Sequence, residues 1–517
     1  MSTPADVRPA SGPASTAPVA NPELVKGLGL TSATTLVMGS MIGSGIFIVS
    51  AEIAREVNSP GLLILAWCVT GFMTIVGALC YGELAAMMPK AGGQYVYLRE
   101  SLGPLWGFLY GWTLFLVIQT GTIAAVGVAF GKFLGHFFPA VSADKWIWHI
   151  AKVPTWHVTS QITLGGMDVG LNTQNLAGIV VVILLTIINI FGLKTGAAVQ
   201  NVFTIAKVSA LFLLIVAGIF FGRNPQAIAA NFTDFWRWSA VHSASGTAAG
   251  PFVGVLTILA VAQVGSLFSA DAWNNVTFTA GEVKNPRRNI PLSLILGTGF
   301  VVSVYFLATL GYLFVLPMHG DPHGATAMAR GIQYATEDRV ATAALEVVFH
   351  SAGAYIMAAA ILISTFGCAN GMSLAGARVY YAMSQDGLFF KSVGQLNEKY
   401  KTPVMGLFVQ ACWTALLCLS GSYSQLLEYI MFAVLVFYIL TILGLFVLRV
   451  KRPVASRPYK ALGYPVLPAL YIVLATWICV VLLRYKPQYT WPGLVLVLLG
   501  IPVYLFWSRR SVTRMPE

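Results

Sequence analysis

The chain is 517 residues long, 57% of them hydrophobic and only 10% charged. Soluble domains carry about 25% charged residues, so this composition excludes an ordinary water-soluble fold and points to a chain built for lipid. A net charge of +12 would suggest nucleic acid in a soluble protein. Here Lys and Arg fall in short connections between apolar runs, the pattern of topology-setting charge, and no nucleic-acid partner is expected.

Residues 1–25 are rich in Pro, Ala and Ser without an apolar core. They are expected to form a disordered cytoplasmic tail and do not resemble a signal peptide. A spanning helix needs about 20 apolar residues, and about twelve segments qualify. They lie near 31–55, 60–88, 102–135, 174–192, 197–222, 251–280, 291–315, 346–376, 403–421, 424–448, 463–484 and 491–508. With both termini inside, the cytoplasmic connections collect about twice as many Lys and Arg as the outer ones, which fixes the orientation of a multi-pass protein in the inner, cytoplasmic membrane. The stretch from His136 to Gln174, with Trp146 and Trp148, is expected to be a partly ordered outer cap. All six cysteines lie inside apolar segments and none forms a CxxC pair, so neither a disulfide framework nor a zinc site is indicated.

The first segment is interrupted by Gly39-Ser40-Met41-Ile42-Gly43-Ser44-Gly45-Ile46-Phe47. Glycine loses the most backbone entropy in a helix, and serine competes for backbone hydrogen bonds. In lipid such a run requires that the freed N–H and C=O groups face protein, water or a ligand. A break at mid-depth points two half-helix ends into one cavity, which suits the carboxylate and ammonium of an amino acid. Sliding the chain by 226 residues lays Gly39-Ser40 on Gly265-Ser266, Ala54 on Ala280, Glu56-Val57 on Glu282-Val283 and Pro60 on Pro286. At the same offset Gly43-Ser44-Gly45 falls on Ser269-Ala270-Asp271, a second interruption. Gly-Ser pairs also permit close helix packing without a break, and that alternative stays open here. The expected fold is all-α and polytopic, a five-plus-five inverted-repeat core with broken helices 1 and 6. Repeat 1 would occupy 26–222 and repeat 2 would occupy 223–448, leaving 449–517 for helices 11 and 12 and a cytoplasmic C-terminus.

These residues, with Ser59-Pro60-Gly61, Gly77-Ala78-Leu79-Cys80-Tyr81-Gly82-Glu83-Leu84 and Lys90-Ala91-Gly92-Gly93-Gln94-Tyr95-Val96-Tyr97, resemble the amino acid–polyamine–organocation transporter superfamily. The L-amino-acid transporter branch is the nearest pattern. The resemblance extends through Phe268 to Pro291, including Trp273-Asn274, and to Asn370-Gly371, Ala377-Arg378 and Gln385-Asp386-Gly387-Leu388. It implies a LeuT-like core with alternating access, working as a secondary active permease or exchanger of L-amino acids. Backbone groups of Met41, Ile42, Gly43, Ser44 and Gly45 would then bind the substrate carboxylate. Carbonyls near Phe268, Ser269 and Asp271 would take its ammonium. Phe268 corresponds to the gating aromatic that closes over substrate from outside, and Asn274 either lines the site or links helices.

Lys207 stands well inside helix 5, where a charge costs about 2.5–3.5 kcal/mol on insertion scales. In sodium-coupled relatives of this fold a cation sits between helices 1 and 8, near helix 5. The resemblance puts the Lys207 ammonium there, as a sodium-site replacement or coupling group, and implies sodium-independent exchange; snorkelling to the interface is the alternative. Asp271 departs from the small residue usual in the branch. It would accept the side chain of a cationic substrate such as arginine, lysine or a polyamine, pair with the α-ammonium of any substrate, or cap the second half-helix.

No nucleophile elbow, phosphate loop or nucleotide fingerprint is present, so no cofactor, metal or ATP-driven step is expected. A polytopic membrane enzyme is the remote rival, but the one near-membrane histidine, His350, has no acid in sequence reach. Glu83 and Glu282, near cytoplasmic helix ends, are expected to pair with basic loop residues. Human members of the branch attach a heavy chain through an outer-loop cysteine. None lies between His136 and Gln174, so the expected partners are the amino acid and the lipid bilayer, without a disulfide-linked heavy chain.

Overall fold

The computed structural model describes residues 24–152, 156–159, 162–164, 168–237, 251–419 and 423–512. The tail expected over 1–25 lies almost wholly outside them.

Each apolar segment forms a helix. Helix 1 is split into 1a (Leu30–Met41) and 1b (Gly45–Val57), and helices 2 (Pro60–Met87), 3 (Pro104–Phe137), 4 (Thr173–Ile190) and 5 (Leu193–Phe221) follow. After helix 6 (Pro251–Ser269) come helices 7 (Pro286–Val315), 8 (Val340–Gln385), 9 (Val404–Cys418), 10 (Tyr423–Lys451), 11 (Val466–Tyr485) and 12 (Pro487–Val512). Among the described residues ten helices are long and apolar enough to span a membrane, while helices 6 and 9 supply the shorter runs Gly254–Ser269 and Val404–Cys418.

Prolines start helices 2, 3, 7 and 12, where a missing N–H costs nothing and φ is already helical. Helix 2 begins at Pro60 and helix 7 at Pro286, and each is preceded by an asparagine in the left-handed region, Asn58 (φ 46°) and Asn285 (φ 47°). Asparagine tolerates that conformation better than other side chains; the two stand 227 residues apart, one position off the 226-residue offset that lays Pro60 on Pro286. Helix 2 packs along helix 7 and helix 3 along helix 8; helix 1a lies against helices 5 and 7, and helix 1b against helix 6.

Among the described residues two helices carry a π-turn, Leu114–Ile118 in helix 3 and Ala217–Phe221 in helix 5. Such turns redirect side chains and often mark functional regions. The cap expected between helices 3 and 4 is ordered as two antiparallel ribbons. Strand β1 (Trp146–Lys152) pairs with β4 (Asp168–Asn172), and β2 (Trp156–Thr159) with β3 (Ile162–Leu164). Asn172 then caps helix 4, its side chain accepting from the Asn175 N–H at 2.7 Å.

Candidate substrate site between two broken helices

Helix 1 breaks as expected: Ile42 leaves helical geometry (φ −76°, ψ 91°) and helix 1b restarts at Gly45. The last carbonyls of a half-helix have no intrahelical donor and, in lipid, need another one. Neighbouring helices supply it. Lys207 Nζ donates to the oxygens of Gly39 (2.6 Å), Ile42 (2.7 Å) and, on helix 8, Ser364 (3.2 Å). Cys368 Sγ donates to Ser40 O at 3.0 Å. Tyr305 bridges Met41 O and Ser269 O, both at 3.1 Å, while the Ser364 hydroxyl reaches Ile42 O (3.1 Å) and Gly43 O (2.9 Å). Lys207 is wholly buried, which rules out snorkelling. An ammonium has three N–H donors, and here all are engaged by carbonyls.

The second break follows Ser269. The Asp271 N–H donates to Phe268 O at 3.2 Å, and Ala272 adopts φ 64°, a strained conformation for a residue with a Cβ. A short helix, Asn275–Phe278, continues beyond it. The two breaks touch: a Cβ on Gly45 would lie 2.2 Å from Ser269 Oγ and 2.9 Å from Ser269 Cα. Met41, Ile42, Gly43, Ser44, Gly45, Phe268 and Ser269 are therefore brought together and buried.

Asp271 and Asn274 face the other way, into a cavity of about 20 Å³ whose walls also include Gln94, Gln119, Asn275 and Tyr438. One water needs roughly 10–15 Å³ by this measure, so the cavity is too small for an amino acid. Met41 to Gly45 and Ser269 are not among its walls. Asp271 Oδ1 accepts from the Tyr438 hydroxyl at 2.5 Å. Among the described residues no Lys, Arg or His forms an ion pair with Asp271. Asn274 donates to Gln94 Oε1 at 3.0 Å, and Gln94 in turn donates to Phe437 O and Thr441 Oγ1. Asn274 thus links two segments by a hydrogen bond and stands in the cavity wall.

Ion pairs tie helix ends together at both faces of the bundle. At the face where helix 1 begins, Arg378 holds Glu282 through two contacts of 2.8 and 3.0 Å, each side chain 1% exposed. Glu282 also anchors the chain entering helix 1a, its carbonyl accepting from the N–H groups of Gly27 and Leu28. Glu83 is held by Arg449, Arg457 and the Ala461 N–H. At the opposite face Arg55 of helix 1b binds Asp338 (2.7 Å) and Gln333 O (2.6 Å), and Phe268 is buried. Both acids pair with basic side chains, but Arg378 and Arg449 stand in helices 8 and 10, and of these partners Arg457 lies in a loop.

Residues 28–504 match the family described as amino acid permease. The chain belongs to that family. The permease is 28% identical to the large neutral amino acids transporter small subunit 2 of Homo sapiens, over 94% of this chain and 82% of that one. It is 27% identical to the serine/threonine exchanger SteT of Bacillus subtilis (strain 168), over 95% of this chain and 98% of the relative. It is also 27% identical to the b(0,+)-type amino acid transporter 1 of Mus musculus, over 93% of this chain and 88% of that one. The family and these relatives are transporters, so the permease is not an enzyme. It is a multi-pass membrane protein.

Sequence reasoning missed Tyr438, Tyr305, Gln119 and Asn275. Gln94 lay inside the quoted Gly92-Gly93-Gln94 motif without a role. Gly93 has φ 44°, and a Cβ there would stand 2.3 Å from Thr277 Oγ1; the glycine pair sets the short helix Gln94–Leu102, which precedes helix 3, against the short helix that follows the second break. Asn370 links helices instead of lining the cavity, bonding Asn189, Gly196 O and Gln200 at 3.0 Å each.

Proposed function

We propose that the permease is a sodium-independent exchanger that carries L-amino acids across the cytoplasmic membrane by alternating access around its two breaks. The substrate carboxylate binds the N–H groups of Gly43 to Gly45 at the start of helix 1b, where the half-helix dipole favours an anion. The carbonyls near Phe268 take the ammonium, and Phe268 closes the outer side. Helices 1–5 (26–222) and 6–10 (223–448) act as the two inverted halves. The face where helix 1 begins is cytoplasmic, both termini lie inside, and no disulfide-linked heavy chain is needed.

The observation that carries sodium independence is Lys207, whose ammonium donates to carbonyls of helices 1 and 8. A fixed positive charge there repels a metal cation and supplies the same bridging attraction. Exchange follows the name of the Bacillus subtilis relative, a serine/threonine exchanger.

A second reading, transport of cationic amino acids, is favoured by Asp271. A buried carboxylate is costly without a positive partner, and Asp271 has none among the described residues. Purified permease in liposomes preloaded with unlabelled amino acid tests both readings. Labelled alanine, leucine, serine and arginine should enter equally well in sodium and in choline. Strict sodium dependence would overturn the role given to Lys207.

A further inference from the structure

We infer that the permease holds the terminal ammonium of a lysine-like substrate in a second, water-sized pocket behind Asp271, and so selects primary amines over guanidinium groups. The inference rests on the cationic reading of Asp271 and adds to it which cation fits.

Asp271 and Tyr438 are a partition. They line the central cavity on one side and, on the other, a separate cavity of about 10 Å³ between helices 2, 6, 10 and 11. The second cavity is walled by Asp271, Thr74, Trp273, Tyr438 and Tyr471 on one part and by apolar side chains of helices 2, 6 and 10 on the rest. Three of those walls are aromatic and buried, and a fourth ring stands behind them. Trp273 lies 5.2 Å from Tyr438, and Tyr81 lies 4.8 Å from Trp273 and 5.8 Å from Tyr438, between ring centres. The approach depends on Gly77 of helix 2, where a Cβ would stand 3.0 Å from the Trp273 indole and 3.6 Å from the Tyr471 ring.

A carboxylate set among aromatic rings attracts a cation by charge and by the ring quadrupoles together. Its size decides which cation. About 10 Å³ admits one water-sized group, and a primary ammonium is such a group, a compact point charge with three donors. Asp271, the Thr74 hydroxyl and the Tyr438 hydroxyl oxygen are acceptors in the same walls. A guanidinium is a planar fork that needs a wider slot. The Tyr438 hydroxyl, which now donates to Asp271, turns from donor to acceptor when the ammonium arrives.

The test uses wild-type permease in liposomes loaded with unlabelled lysine. Uptake of labelled lysine is competed with ornithine, arginine and norleucine, the last matching the lysine chain without its charge. Lysine and ornithine should compete at concentrations about tenfold below arginine and norleucine, since a site built to hydrogen-bond one group discriminates strongly against its analogues. Trp273→Leu, which widens the pocket, should bring the lysine-to-arginine ratio near one, and Trp273→Phe should restore part of it. Lysine and arginine competing within twofold in the wild type would overturn the pocket and leave the cationic reading standing. Alanine exchange with no exchange of either cation would overturn both. The wild-type ratio decides even where Trp273→Leu fails to fold.

Discussion

Ser269 occupies the space that any side chain on Gly45 would need, with its Oγ 2.2 Å and its Cα 2.9 Å from that Cβ position. The two half-helix ends that form the proposed site are thus in direct contact. Substrate entry must separate them, and the closed form depends on the missing Cβ.

Gly45→Ala therefore disturbs a backbone contact that no rotamer change relieves. Overpacking of this kind costs about 1–3 kcal/mol, and we expect a lower melting temperature in detergent together with at least about a tenfold loss of exchange, because the site cannot close. Ser269→Ala in the same chain removes the hydroxyl clash only. It should recover part of the stability, and full recovery would show that the backbone contact is not limiting.

Removing the Lys207 amine takes a donor from the buried carbonyls of Gly39 and Ile42, and only Ile42 O keeps the Ser364 hydroxyl. Each unsatisfied group costs about 1–3 kcal/mol, so Lys207→Met should be markedly less stable and inactive in exchange. Lys207→Arg keeps the charge but brings a planar fork into a site shaped for a point charge, and should recover part of the stability and little of the exchange. Equal exchange by wild type and Lys207→Met would refute a bridging role for the ammonium.

Glu282 and Arg378 form a fully buried pair at the face where helix 1 begins, and Glu282 O also fastens the chain entering that helix. Breaking one side of a buried pair costs about 3–5 kcal/mol, whereas replacing both sides is often much milder. Arg378→Gln should therefore destabilise more than Glu282→Gln with Arg378→Gln together. A double-mutant cycle read by thermal unfolding checks this, and additive effects would mean that the pair is not coupled.

The spans were legible because a membrane helix is written as a long apolar run, and the breaks because Gly39 to Gly45 and Ser269 to Asp271 interrupt such runs with residues that helices disfavour. Lys207 and Asp271 stood out as charges where lipid tolerates few. Tyr438 and Tyr305 did not, since an aromatic in an apolar helix carries no spacing that separates a site wall from lipid-facing surface. Only packing shows that Tyr438 meets Asp271 and that Tyr305 ties Met41 to Ser269. The contact between the two breaks was equally hidden, because it depends on Gly45 meeting a residue more than two hundred positions away.

Asp271 and Tyr438 give the sharpest separation of substrate classes. Asp271→Gly removes the one carboxylate in the walls of the central cavity, so exchange of lysine and arginine should fall by about 100-fold or more, the scale set by losing a close buried charge pair. Alanine and serine exchange should fall far less if their α-ammonium is held by the carbonyls near Phe268. Tyr438→Phe removes only the hydroxyl that donates to Asp271 at 2.5 Å. A carboxylate that loses its donor waits for a cation more strongly, but an arriving ammonium also loses an acceptor, so lysine transport should change by less than about tenfold, the equivalent of one modest hydrogen bond. Labelled alanine and lysine uptake measured side by side in both variants checks the pair of expectations. A parallel collapse of alanine and lysine exchange in Asp271→Gly would assign Asp271 to the α-ammonium of every substrate instead of to a cationic side chain.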